Sequence, residues 1–112
     1  MIAAALLSVA LASPFTADDW WREAAFAGLL VMDWQQTHDI GRHPGMYELN
    51  PLLGRHPSAG RIDRYFAASL AAHAVIAYAL PAPQRRMFQN ATVVAEAVVV
   101  GRNAYLGLRV TF

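Results

Sequence analysis

Three apolar runs constrain the fold of this chain more than any other feature of its sequence. The runs lie at residues 20–40, 63–80 and 87–108. Each is close to the roughly 20 residues that a helix needs to cross the hydrocarbon core of a bilayer. A loop rich in glycine and proline, residues 41–60, follows the first run, and Pro81-Ala82-Pro83 ends the second. The pattern predicts an all-α fold, a small transmembrane helical bundle of three helices that forms one domain over residues 14–112.

The composition leaves the chain little polar surface. Hydrophobic residues make up 56% of the chain and charged residues 15%, whereas about 25% of a typical soluble domain is charged. A chain of 112 residues has a large surface for its volume, so it would need more polar residues to cover itself in water. We therefore expect an integral membrane protein, with a soluble α-helical bundle as the alternative.

Charge, cysteine content and motifs exclude several classes of function. The formal net charge of +1 is too small for a protein that must neutralise several nucleic-acid phosphates. The absence of cysteine excludes disulfides, thiolate catalysis, zinc–thiolate sites and iron–sulfur clusters. The serines lack a Gly-x-Ser-x-Gly context, and there is no lysine for a phosphate-binding loop.

The N-terminal segment, residues 1–13, is apolar but too short to cross a bilayer. Its Ala10-Leu11-Ala12 sequence favours a signal segment, because small residues at this spacing precede a cleavage site. The positive charges that open a signal segment are missing, which favours a short first membrane helix. Both interpretations stay open at this point.

The arginines predict an orientation in the membrane. Three lie on one side of the bundle, at Arg22, Arg85 and Arg86, and the other six lie in the first loop or near the C-terminus. Basic residues concentrate in cytoplasmic loops. The distribution therefore predicts a bacterial inner-membrane protein with loop 41–64 and the C-terminus in the cytoplasm.

Each apolar run carries an ionisable residue where burial is costly. If the polar helix faces turn inward, the bundle contains a polar core. Its members are Asp33, Gln36, Thr37, His73, Glu96 and Asn103. Two carboxylates and an imidazole could form a proton relay or a hard-metal site. In the other interpretation they only fix helix packing, with Glu96 paired to Arg102 or Arg86.

The loop after the first run supplies a second group of polar residues. Glu48, Asn50 and Pro51 form a fold-back element, in which Asn50 caps a short turn and Glu48 accepts hydrogen bonds from arginines or helix N-termini. Three histidines lie in or beside the same loop, at His38, His43 and His56. They are candidate metal ligands, although their spacing matches no recognised metal site.

Three segments of the chain resemble those of a known family. Asp33-Trp34-Gln35-Gln36-Thr37 fits a D-x-x-Q-T segment, and residues 48–57 fit an E-x-N-P-x-L-G-x-x-P segment. The C-terminal Gly107-Leu108-Arg109 and Phe112 fit a G-L-R-x-x-F segment. These segments resemble those of a family of small proteobacterial and phage membrane proteins. The resemblance implies a membrane protein and supplies no reaction mechanism.

The expected function is that of a helical-bundle assembly or interaction factor in the membrane, with a phage-encoded, holin-like protein as one version. The expected partners are the lipid bilayer and a second copy of the chain or another membrane protein, and no nucleic acid. The small residues Ala68 and Ala72 favour assembly because they permit close helix approach. The alternative is an intramembrane metal- or proton-binding enzyme or transporter that uses Asp33, His73 and Glu96. We predict no cofactor, with a divalent metal as the alternative.

Overall fold

The computed structural model describes residues 13–111 and contains three α-helices within them. Helix α1 is Ala17–Ile40, α2 is Ala59–Ala79 and α3 is Ala82–Tyr105. The prediction of an all-α bundle of three helices is confirmed for this part of the chain. The predicted signal-like or short helical segment lies outside the described residues, apart from Ser13.

The predicted transmembrane character of the helices is not supported. Between residues 13 and 111, no helix combines the length and the apolarity that crossing a membrane requires. Charged and amide side chains recur along α1 and α3, and alanine, histidine and tyrosine give α2 only a modest hydropathy. The sequence pattern overstated the apolarity of the runs because their polar residues lie inside them rather than only at their ends.

Local sequence signals define the helix ends. Thr16 and Asp19 form a capping box at the start of α1, and the Ser58 hydroxyl accepts a hydrogen bond from the Arg61 amide at the start of α2. Helix α3 ends where Gly107 adopts a φ of 92°, a left-handed conformation that glycine adopts without strain. This turn allows the Leu108 amide to donate to the Asn103 carbonyl.

Helix α1 lies between the other two helices. It packs along both of them, whereas α2 and α3 contact each other over a much smaller area. The apolar core lies between α1, α2 and the loop, and it consists of Phe26, Leu30, Leu53, Ile62 and Phe66. The limited contact between α2 and α3 leaves a space between the helices, which the loop partly covers.

The end of the bundle near the α2–α3 turn has a buried polar interior, which we call the Arg85 network: Asp19, Glu23, Arg85 and Gln89. The Arg85 guanidinium is fully buried, lies 3.0 Å from Asp19 Oδ2 and donates to the carbonyl oxygen of Ala77 at 2.7 Å. It also donates to the carbonyls of Ser13, Pro14, Tyr78 and Leu80. Arg85 therefore ties the end of α2 and the chain before α1 to α3.

Asp19 is held in its charged form within this network. Burial opposes the charge, but hydrogen bonds from the Thr16 amide and from the Arg85 and Arg22 guanidiniums outweigh it and lower the pKa of Asp19 to about 2. Gln89 completes the contact by donating to the Asp19 carbonyl and to Glu23 Oε1, each at 3.1 Å. The network thus joins α1 and α3 through polar rather than apolar contacts.

His73 belongs to this end of the bundle. Its Nδ1 lies 2.9 Å from Glu23 Oε1, its Nε2 lies 2.7 Å from Thr92 Oγ1, and its ring stacks between Phe26 and Phe88. Both ring nitrogens are engaged and the residue is buried. His73 therefore joins all three helices through one side chain.

Candidate functional site

A cavity of about 560 Å³ lies between the three helices and the loop. Every element contributes polar side chains to its wall. These are Asp33 and Thr37 of α1, Glu48 and Asn50 of the loop, Tyr65 and Ser69 of α2, and Glu96, Arg102 and Asn103 of α3. Apolar side chains, among them Phe26, Leu30 and Phe66, line the rest of the wall. Ligand pockets in proteins are typically about 300–1,000 Å³ and combine these two kinds of wall.

Two carboxyl groups from different helices meet at the cavity wall. Asp33 of α1 and Glu96 of α3 lie within hydrogen-bonding reach of each other, and we call them the carboxyl pair. Burial, the charge of Asp33 and the hydrogen bond between the two groups raise the pKa of Glu96 to about 8. Burial and the charge of Glu48 also raise the pKa of Asp33. Because two carboxylates in contact resist simultaneous ionisation, the pair holds one shared proton at neutral pH.

Amide and hydroxyl groups orient Asp33. Asn103 Nδ2 donates to Asp33 Oδ1 at 3.3 Å and to Gln36 Oε1 at 3.2 Å. Thr37 lies one turn beyond Asp33, and its hydroxyl donates to the Asp33 carbonyl oxygen at 2.8 Å. Gln36 in turn donates to the Val100 carbonyl, which fixes the register of α1 against α3. The Asp33 carboxyl group is therefore held in place by side chains from both helices.

The loop closes one side of the cavity. Glu48 Oε1 accepts hydrogen bonds from the backbone amides of Leu49 and Asn50 at 3.0 and 2.9 Å. Asn50 Oδ1 accepts from the Leu52 amide, and its Nδ2 donates to the Tyr65 hydroxyl at 2.8 Å. Asn50 thus joins the turn to α2, whereas Pro51 is exposed in the turn and lines no part of the cavity. The partners of Glu48 are amides of its own loop rather than arginines or helix N-termini.

Other candidate residues lie away from the cavity. His38 Nε2 lies 2.8 Å from Asp63 Oδ1, His43 Nε2 lies 3.0 Å from Asp39 Oδ2, and His56 is exposed. His73 contacts Glu23, ten residues before Asp33 in α1, a separation of about 15 Å along a helix. The cavity therefore contains Asp33 and Glu96 but not the imidazole that the sequence grouped with them.

The arrangement does not match a metal site. Across residues 13–111, no three histidine, cysteine, aspartate or glutamate side chains come close enough to hold one ion. Asp33, Glu48 and Glu96 line one cavity without closing on a common point. Within the same residues Glu96 forms no ion pair with an arginine, so the expected Arg102 or Arg86 partner is not observed.

The carboxyl pair has two chemical capacities. A carboxyl group whose pKa lies near neutrality can donate or accept a proton at physiological pH, as a general acid or base does. The same pair carries two negative charges when it loses its proton, which favours a positively charged group in the cavity.

Comparison with known proteins adds no assignment: the chain matches no protein-family model, no curated protein and no solved structure.

Proposed function

We propose that this protein binds a small polar ligand in the cavity and that the carboxyl pair exchanges its shared proton when the ligand binds. The observation that carries the proposal is the contact between Asp33 and Glu96 at the wall of a cavity of about 560 Å³. Two acidic groups in contact cost stability unless a cation accompanies them, and such groups cluster at functional sites. A role in packing alone would need no cavity beside the pair.

The proposal retains part of the alternative function expected from the sequence. Asp33 and Glu96 are the residues of that alternative that line the cavity, so proton binding is kept. The metal and His73 are not kept, because the histidine is engaged by Glu23 and Thr92. The proposed activity is therefore ligand binding linked to a proton, with the carboxyl pair as the linked group.

Filling the cavity tests the proposal. Ser69 lines the cavity, while the neighbouring Ala68 is exposed. We expect at least one of three fragments of similar size, benzylamine, benzyl alcohol and benzoate, to bind with a Kd on the order of 1 mM. Amide resonances of cavity residues should shift in NMR spectra on binding. Ser69→Phe should abolish these shifts, and the matched control Ala68→Phe should preserve them. The proposal is wrong if none of the three fragments shifts cavity resonances of the unmodified protein.

A second candidate function, assembly through an apolar surface, is favoured by the outward faces of α2 and α3. Val75 of α2 and Met87, Val94 and Val98 of α3 are each more than 60% exposed. Large exposed apolar patches mark surfaces that contact other proteins or membranes. This surface would suit the predicted helical-bundle assembly factor.

The assembly candidate makes a prediction about oligomeric state. Sedimentation of the purified protein should give a mass above that of the 12.3 kDa monomer, and the double variant Val94→Glu, Val98→Glu should sediment as a monomer. Asn90→Glu, an exposed polar position of the same helix, is the matched control and should leave the mass unchanged. A monomer at every concentration would remove self-assembly. The holin-like version further requires that expression dissipate the membrane potential.

A further inference from the structure

Some hydrogen-bonding groups in the cavity wall have partners in the part of the chain that the structure describes, and others do not. Three neutral side-chain donors of the wall already have partners inside the protein: Asn103 donates to Asp33, Asn50 to Tyr65, and Ser69 to the Tyr65 carbonyl. By contrast, Glu96 Oε2 is buried and receives no hydrogen bond from any donor in residues 13–111. The buried atom left without a partner among these residues is therefore a carboxyl oxygen, and a ligand that meets it once the pair has lost its proton must donate a hydrogen bond.

The charge of the cavity also favours a donor that is positively charged. The ionisable groups that face the carboxyl pair come from every element around it: Glu48 from the loop, Tyr65 from α2 and Arg102 from α3. The carboxyl pair with its one proton and Glu48 together carry two negative charges, and Arg102 supplies one positive charge from an exposed position at the rim. One negative charge thus remains in excess, and the excess grows when the shared proton leaves.

The apolar wall sets the second property of the ligand. Phe26 and Phe66 are buried core residues whose side chains also line the cavity, and the Tyr65 ring lies beside Phe66 with a centroid separation of 5.2 Å. Aromatic faces attract cations and bury apolar groups. A metal ion would use none of this surface, and the carboxyl groups do not close on one point.

We infer that the ligand is an organic ammonium ion with an apolar group, its ammonium placed between the carboxyl pair and Glu48 and its apolar part against Phe26 and Phe66. The inference rests on the proposed ligand-binding function of the same cavity. On binding, the ammonium takes the place of the shared proton, which passes to solvent. The carboxyl O–H bond breaks and water or buffer takes up the proton, while no covalent bond of the ligand changes.

Comparing the affinities of the three fragments tests the inference. Benzylamine should bind at least tenfold more tightly than benzyl alcohol at pH 7.5, and benzoate should bind more weakly than either. Because binding releases a proton, the affinity for benzylamine should increase from pH 6 to pH 8, a range in which the amine itself stays protonated. Glu96→Gln cannot release that proton, so its affinity for benzylamine should be lower and nearly independent of pH.

The outcomes separate the inference from the function on which it rests. Equal binding of benzylamine and benzyl alcohol, or tighter binding of benzoate, would overturn the ammonium class and leave ligand binding in place. Tight benzylamine binding with the same pH dependence in Glu96→Gln would overturn the proton exchange at the pair. If no fragment binds in the cavity, the proposed function and the inference both fail.

Discussion

Replacing Arg85 by methionine should lower the free energy of unfolding by about 3–5 kcal/mol, because it leaves the buried Asp19 carboxylate with only the Arg22 guanidinium and removes the donor to several backbone carbonyls. Arg85 is fully buried and also satisfies the carbonyl oxygens at the end of α2. Methionine fills similar space but donates no hydrogen bond. Urea unfolding followed by circular dichroism measures the loss.

Two further variants make this prediction specific. Arg86 is exposed and next in the chain, so Arg86→Met is the matched control and should change stability by no more than about 0.5 kcal/mol. Arg85→Lys keeps the charge but lacks the planar guanidinium that reaches several acceptors. Its free energy of unfolding should therefore lie between those of the unmodified protein and Arg85→Met. A loss below 1 kcal/mol in Arg85→Met would show that the network is not a main source of stability.

Replacing Glu96 by glutamine should remove a loss of stability that the unmodified protein undergoes as pH rises. The pKa of Glu96 is raised from 4.5 to about 8 in the folded protein. The folded state therefore holds a proton that the unfolded chain releases, and this contribution is lost as pH rises from 4.5 through about 8. Relative to Glu96→Gln, the unmodified protein should lose on the order of 1–2 kcal/mol between pH 5 and pH 9, allowing for partial solvent exposure.

The measurement is urea unfolding of both proteins at several pH values. The difference between their free energies of unfolding cancels the contributions of the histidines, which both proteins contain. Asp18→Asn serves as the control, because Asp18 is exposed and away from the cavity, so this variant should still lose stability between pH 5 and pH 9. Parallel pH profiles of Glu96→Gln and the unmodified protein would mean that Glu96 is ionised at neutral pH in the folded protein.

The helices were predictable from the sequence because three apolar runs and strong cap residues agree. Thr16 and Ser58 are N-cap residue types, and both cap the helices that follow them. Helix α3, however, begins at Ala82, whereas the pattern placed its start near residue 87. Pro83 lies in the first turn of α3, where its missing amide hydrogen costs nothing, so it opens the helix rather than ending the previous one.

The candidate site was predictable in part. Asp33, Thr37 and Asn103 follow helical spacing, which places polar groups on the inward faces of α1 and α3. The position of Glu48 in the cavity wall beside the carboxyl pair depends on the path of the loop. That path is set by long-range contacts such as the hydrogen bond from Asn50 to Tyr65. No local pattern encodes such contacts.

The Arg85 network was missed, although the sequence contains a signal for it. Asp19 and Glu23 are four residues apart on α1, and Arg85 and Gln89 are four residues apart on α3. Residues at this spacing share one helix face, so two matched polar faces could have been recognised. The polar core expected from the sequence grouped His73 with Asp33, whereas the observed partner of His73 is Glu23.

The shared proton of the carboxyl pair is the central claim, and carbon-13 NMR of the aspartate and glutamate carboxyl groups tests it most directly. In a titration from pH 4 to pH 10, we expect one carboxyl resonance to change with a midpoint near 8, and Glu96→Gln should assign it by its disappearance. Titration of every carboxyl group below pH 6 would contradict the account.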